Sequence, residues 1–345
     1  MNIPRFFKLS EEPAHGQPLQ EESIHCELCP KHCFLAPGKA GLCKIRYNQN
    51  GKPTLPYYGF ITALALDPIE KKPLYHFRPG SEILSIGFTG CNLRCPFCQN
   101  WHISQNTDAP GSIYSPPELI ATVKNTNQIA YTYSEPLVHI EFLLDCMKEA
   151  RKAGIANVLV TNGCINSGPA SEILDLADAV NIDLKCFSED TYAKILGGDL
   201  AAVLGFIRTA IEKGVHLELT TLIVPGLNDS EKELNACMDF IAELENSGQK
   251  KTVIPWHLSA YHPDWKYLAP PTTPEFLAET AARARKRLTY VYTGNTTREK
   301  NDTLCPQCGK TLISRRGYRV DTSGLMAKGN AYICASCGME APVKF

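Results

Sequence analysis

Residues 82–100 read EILSIGFTGCNLRCPFCQN. The first seven are an apolar, β-branched run of strand length, and the run breaks at glycine into three cysteines, Cys91, Cys95 and Cys98. A structural zinc site is closed by four ligands and a conventional 4Fe-4S cluster takes one cysteine per iron. Three thiolates therefore leave one coordination position open at the end of a strand.

Working outward, the same kind of run recurs as QIAYTYS (128–134), NVLVTNG (157–163), AVNIDLK (179–185), HLELTTLIVP (216–225), TVIPWHLS (252–259) and LTYVYTG (288–294). Helix-like segments lie between them, among them LVHIEFLLDCMKEARKAG, AAVLGFIRTAIEKG, SEKELNACMDFIAELENSG and TPEFLAETAARARKR. Several begin at Ser, Thr or Pro and three close on Gly, which are start and stop signals. Strand and helix in regular alternation predict a parallel sheet with crossover helices, a full or partial TIM-like (β/α) barrel, with chemistry at the C-terminal ends of the strands. Three parts are expected: a Cys-rich metal-binding segment and connecting loop over 1–80, the barrel over 81–295, and a small module over 296–345.

The chain has 345 residues, 44% hydrophobic and 21% charged, with a net charge of -1. That balance fits a globular chain and gives no electrostatic reason to expect nucleic acid or a membrane surface. No run approaches the roughly 20 apolar residues that span a bilayer, and the start lacks a signal-peptide core, so a cytoplasmic protein is expected.

Of the fifteen cysteines, eleven fall in three tight groups, and such spacing in a chain of this size points to metal rather than disulfides. Cys305-Pro-Gln-Cys308-Gly and Cys334-Ala-Ser-Cys337-Gly are two knuckles of a zinc-ribbon-like module, suited to zinc or a rubredoxin-like single iron. Arg315, Arg316 and Arg319 on its hairpin, and Arg283, Arg285, Lys286 and Arg287 before it, read as solvated. Cys26, Cys29, Cys33 and Cys43 form a leading group for one metal centre, zinc or an auxiliary iron-sulfur cluster, followed by a turn at Asn50-Gly51. Cys146, Cys164, Cys186 and Cys237 read as small core residues.

The motif Cys91-x3-Cys95-x-Phe97-Cys98 after the first barrel strand resembles the hallmark of the radical S-adenosylmethionine (SAM) superfamily. The resemblance implies a 4Fe-4S cluster on the three cysteines, with SAM on the open iron and reductive cleavage to a 5'-deoxyadenosyl radical that takes hydrogen from substrate. Later stretches resemble activating enzymes of the pyruvate formate-lyase type: Tyr133-Ser134-Glu135-Pro136 against GGEP, Thr161-Asn162-Gly163, Asp183-Leu184-Lys185, Val224-Pro225-Gly226, and His257 in IPWHLSAYHPDW. By that likeness Phe97, Ser134, Glu135, Asp183, Lys185 and His257 bind cofactor. Val160 stands where those enzymes have an acid, and Thr220 and Thr221 where an arginine is expected. The leading cysteines, LDPIEKKPLYHFRPG (66–80) and the closing CPQCG module resemble the AmmeMemoRadiSam system radical SAM enzymes. That implies action beside Memo-type and AMMECR-type proteins and an electron donor such as flavodoxin or ferredoxin. A glycyl-radical activase is the alternative and a non-enzymatic zinc-binding interaction protein a remote one. Within 66–80, Lys71, Lys72 and His76 are either part of a Pro-broken packing loop or substrate-facing groups.

Overall fold

The computed structural model describes residues 4–9, 22–247, 252–296, 301–329 and 331–345; much of the polar arm expected over 1–25 lies outside them. The expected alternation is present. Strands β1 (Ala63–Pro68), β2 (Glu82–Gly87), β3 (Gln128–Thr132), β4 (Ala156–Thr161), β5 (Ala179–Asp183), β6 (His216–Ile223), β7 (Trp256–Ala260) and β8 (Val291–Gly294) form one sheet in the order β8-β7-β6-β5-β4-β3-β2-β1. Sequence order equals spatial order, as when each strand–helix unit adds a strand to the same growing edge. The pairs β2–β3, β3–β4, β6–β7 and β7–β8 are parallel, with Ile129 opposite Leu84 and Leu219 opposite Trp256. Strand β1 was not expected, since Pro68 breaks its apolar pattern. Its place at the end of the sheet tolerates a proline.

The chain folds as two compact units. The first comprises residues 1–65, 84–180 and 189–215. Helix α1 (Ile140–Lys152) buries Ile140, Leu143, Leu144 and Met147, one stripe at helical spacing. Each such side chain contributes about 1.5–3 kcal/mol on full burial. Helix α2 (Leu200–Glu212) is capped by Asp199, which accepts the Ala202 N–H at 2.8 Å. Near the N-terminus, Tyr47–Gln49 pairs with Lys52–Thr54 around Asn50 and Gly51, both at positive φ. That is the tight hairpin the Asn-Gly pair predicts. Buried Arg46 grips Glu141 with two hydrogen bonds, at 2.7 and 2.9 Å.

The second unit comprises residues 66–83, 181–188 and 216–345. Ser230 caps α3 (Glu231–Asn246), and Thr273 followed by Pro274 opens α4 (Pro274–Ala284). The C-terminal module is a three-stranded sheet (Thr303–Leu304, Thr311–Arg316, Arg319–Asp321) and a hairpin (Leu325–Lys328 with Ala331–Cys334), sharing a small core of Leu312, Ile313 and Val343. Arg315 departs from the solvated reading. It is buried, donates to the carbonyls of Tyr75 (2.6 Å) and Asn301 (3.0 Å), and lies 4.3 Å over the Tyr75 ring. Arg316, Arg319 and Arg285 are exposed as expected, Arg285 donating to the Val291 carbonyl at 2.9 Å. Cys146, Cys164, Cys186 and Cys237 are all buried. No helix among the described residues is long and apolar enough to cross a membrane.

Candidate active site

Strand β2 ends at Gly87 and the chain turns through Thr89 and Gly90 into Cys91. Gly90 has φ +81°, and a Cβ there would lie 2.5 Å from Ile45 and 2.7 Å from the Cys43 carbonyl oxygen. Only glycine fits that approach. The Thr89 carbonyl accepts Nε2–H of buried His139 at 2.7 Å, and burial pushes this imidazole down to about 4. The ring is thus a neutral strut at pH 7. Cys91 Sγ accepts the Leu93 N–H at 3.3 Å and faces the Asn162 amide at 3.8 Å, and Cys98 Sγ lies 3.3 Å from Ser104 Oγ. Burial, then Glu135, Cys95 and Cys98, drives the Cys91 thiol well above its usual range. Phe97 is buried rather than presented to solvent.

At the end of β3 the backbone is strained, for Tyr133 holds φ +68° without being glycine. Its carbonyl accepts the Asn100 amide at 2.7 Å, tying the cysteine loop to this turn. Ser134 Oγ is buried with no hydrogen-bond partner. Glu135 is buried and accepts Leu137 N–H (3.0 Å), Thr161 Oγ–H (2.6 Å) and Asn162 N–H (2.8 Å), so it joins the ends of β3 and β4. Asn162 in turn donates to Asn92 Oδ1 at 2.9 Å. Cys91, Glu135 and Asn162 therefore form one connected set in the first unit.

Asp183, Lys185 and His257 belong to the second unit. Lys185 Nζ pairs with Asp183 at 2.8 Å just past β5, and the Lys185 carbonyl accepts the Asn228 amide at 2.7 Å. Asn228 also accepts the Val224 N–H at 2.7 Å, shaping the Val-Pro-Gly turn. His257 is the second residue of β7, and its Nε2 lies 2.7 Å from Glu218. Glu218, on β6, also takes His216 Nε2 at 2.9 Å and the N–H groups of Tyr75 and His76. Burial alone would raise its carboxyl; the His216 and His257 hydrogen bonds override that and hold it well below the carboxylate range. Within 66–80, Lys72 is buried against Asp67 at 2.7 Å, and His76 bonds Pro342 O and Tyr292 Oη. Both are packing groups, as expected of a Pro-broken packing loop.

A radical SAM superfamily model matches residues 85–241. The chain is 39% identical over 335 residues to the uncharacterized protein MJ0808 of Methanocaldococcus jannaschii, covering 94% of this chain and 97% of that one. The chain belongs to the radical SAM superfamily. It is also 26% identical over 199 residues to the pyruvate formate-lyase-activating enzyme of Staphylococcus epidermidis, covering 53% of this chain and 77% of that one. Among solved structures, Streptococcus suis SuiB bound to S-adenosylmethionine is similar with a TM-score of 0.48 at 14% identity, covering 62% of this chain and 52% of that one.

As a radical SAM protein the chain is an enzyme that uses SAM, and the superfamily implies a 4Fe-4S cluster beside it. The residues present fit such groups: three cysteine sulfurs on one loop, an N–H donor aimed at Cys91, and an unpartnered Ser134 hydroxyl one residue from Glu135. Sequence reasoning missed Glu218, Arg46 and Asn228. The first two are ordinary charges in the local pattern, while Asn228 sits in a turn whose local signal is its proline and glycine. The C-terminal cysteines are brought together as expected. All four sulfurs lie within 4.8 Å of one another, with Cys305–Cys337 at 3.6 Å and Cys308–Cys334 at 3.7 Å. A tetrahedron of sulfurs about 2.3 Å from zinc has edges of about 3.8 Å, so the group is preshaped for one ion.

Proposed function

We infer that this radical SAM enzyme holds its 4Fe-4S cluster on Cys91, Cys95 and Cys98 and abstracts hydrogen from a small-molecule or protein substrate. The observation that carries the reading is the three-cysteine loop at the end of β2, which leaves a coordination position for SAM. When bound, the reduced cluster and SAM supply a 5'-deoxyadenosyl radical. The chain's own part is positional. Gly90, His139 and Asn162 hold the loop, and Phe97 packs it from within. Ser134 offers the cofactor a free hydroxyl, and Glu135 fixes the adjoining turn. The family resemblance gives Asp183, Lys185 and His257, in the second unit, as cofactor-binding residues, with Glu218 setting the His257 tautomer so that Nδ1 is the lone-pair nitrogen. The C-terminal four cysteines hold zinc.

By its resemblance the enzyme acts in the AmmeMemoRadiSam system, in the cytoplasm, beside Memo-type and AMMECR-type proteins, and draws electrons from a flavodoxin or ferredoxin. The likeness to pyruvate formate-lyase-activating enzymes supports a second reading, a glycyl-radical activase. Anaerobic reconstitution with iron and sulfide, followed by reduction in the presence of SAM, tests the primary reading. 5'-Deoxyadenosine should form with the wild type and be absent from Cys95→Ala; turnover that survives this substitution sinks the assignment. A glycyl radical by EPR on a partner protein would decide for the activase.

A further inference from the structure

The leading cysteines are built differently from the C-terminal four. Cys26, Cys29, Cys33 and Cys43 are near neighbours, with Cys29 close to the other three. Yet, among the described residues, the 4.8 Å clustering that marks the C-terminal group is not met by these four. Thiolates on one zinc must crowd to the edges of a small tetrahedron. Thiolates that each bind a different iron of a cubane stand farther apart. The wider set is also furnished with donors. The Lys31 N–H points to Cys29, the Leu42 N–H to Cys33, and the N–H groups of Ile45 and Arg46 to Cys43. The Arg46 guanidinium faces Cys26, and its Nε, in a side chain 1% exposed, has no hydrogen-bond partner. N–H donors on every sulfur stabilise metal-bound thiolate and leave buried thiols no comparable gain.

The segment is seated on the Cys91 loop. Cys43 O and Ile45 close over Gly90, while Asn166 bonds Leu28 O at 3.0 Å and Glu27 O at 2.7 Å from the loop that carries Asn162. We propose that Cys26, Cys29, Cys33 and Cys43 bind a second 4Fe-4S cluster, not zinc, directly beside the Cys91 loop. This goes beyond the proposed function and does not require a cluster on Cys91.

The test uses the full chain with Cys91, Cys95 and Cys98 all changed to Ala, reconstituted anaerobically with ferrous iron and sulfide. About four irons and four sulfides should remain per chain, with the EPR signal of a reduced 4Fe-4S cluster, and adding Cys26→Ala and Cys29→Ala should remove them. Zinc tracking with Cys26 and Cys29, or iron that vanishes with the Cys91 triplet alone, overturns the proposal. The second outcome leaves the proposed function standing. If the triple variant precipitates, Cys26→Ala with Cys29→Ala in the otherwise intact chain reads the same quantity: iron should fall from about eight to about four per chain, and unchanged iron overturns the proposal.

Discussion

Glu218 and His257 are joined at 2.7 Å with both side chains buried, the carboxylate also taking His216 and two backbone N–H groups from the Tyr75–His76 segment. Four donors around a carboxylate with no solvent of its own make it a structural hub of the second unit. Glu218→Gln turns an amide donor toward donors and should cost about 3 kcal/mol or more in denaturant unfolding at pH 7. The folded carboxyl lies below its unfolded value, so this stabilisation is complete above the ordinary carboxylate pKa of about 4.3 and is lost as pH falls toward the folded value. The gap between wild type and variant should narrow below about pH 4; a pH-independent gap would refute the charge argument.

His76 is fully buried, and desolvation pushes its imidazole down to about 4. The unfolded chain therefore binds a proton that the folded chain excludes, between about pH 6.5 and pH 4. Stability should decline across that window by up to about 3 kcal/mol from this residue, with full stability above it. The unfolding midpoint of His76→Gln against pH should show a shallower acid slope than wild type.

Arg46 and Glu141 form a buried, two-bonded ion pair. Glu141→Leu leaves the guanidinium without its carboxylate and should cost about 3–5 kcal/mol, while Arg46→Met with Glu141→Leu should recover most of it. Chemical denaturation of the three variants measures this, and an additive double variant would rule out the coupling.

Gly90 and Gly154 both hold positive φ, at +81° and +70°, but a Cβ at Gly154 meets nothing within 4 Å. Gly154→Ala should cost only the backbone strain of about 1 kcal/mol. Gly90→Ala should cost several times that, because Ile45 and the Cys43 carbonyl must move. Iron bound per chain after reconstitution should fall in the second variant and not in the first.

Much of the fold was legible because its signals are local. The runs at 82–88, 128–134 and 157–163 each became a strand, and Ser230 and Thr273 each capped the helix placed after them. Strand β1 escaped because its pattern shows no clean alternation before Pro68; pairing in the sheet, rather than propensity, decides it. The arginines of the C-terminal hairpin show the opposite failure. Arg315 and Arg316 are neighbours of one type, and only Arg315 is buried, because successive strand residues face opposite sides and Tyr75 covers one of them.

The sequence by itself determined the strand–helix alternation and the grouping of eleven cysteines, since periodicity, caps and ligand spacing act over a few residues. Tertiary structure alone decided which charges are buried and what holds them. Arg315 meets Tyr75 across 240 positions of chain, Glu218 meets Tyr75 across 143, and Arg46 meets Glu141 across 95. It also decided which cysteine set closes to zinc-like spacing, because sulfur separation depends on how the knuckles are brought together in space. A charge or a thiol has the same local signature on a surface or in a core; its partners are chosen by folding.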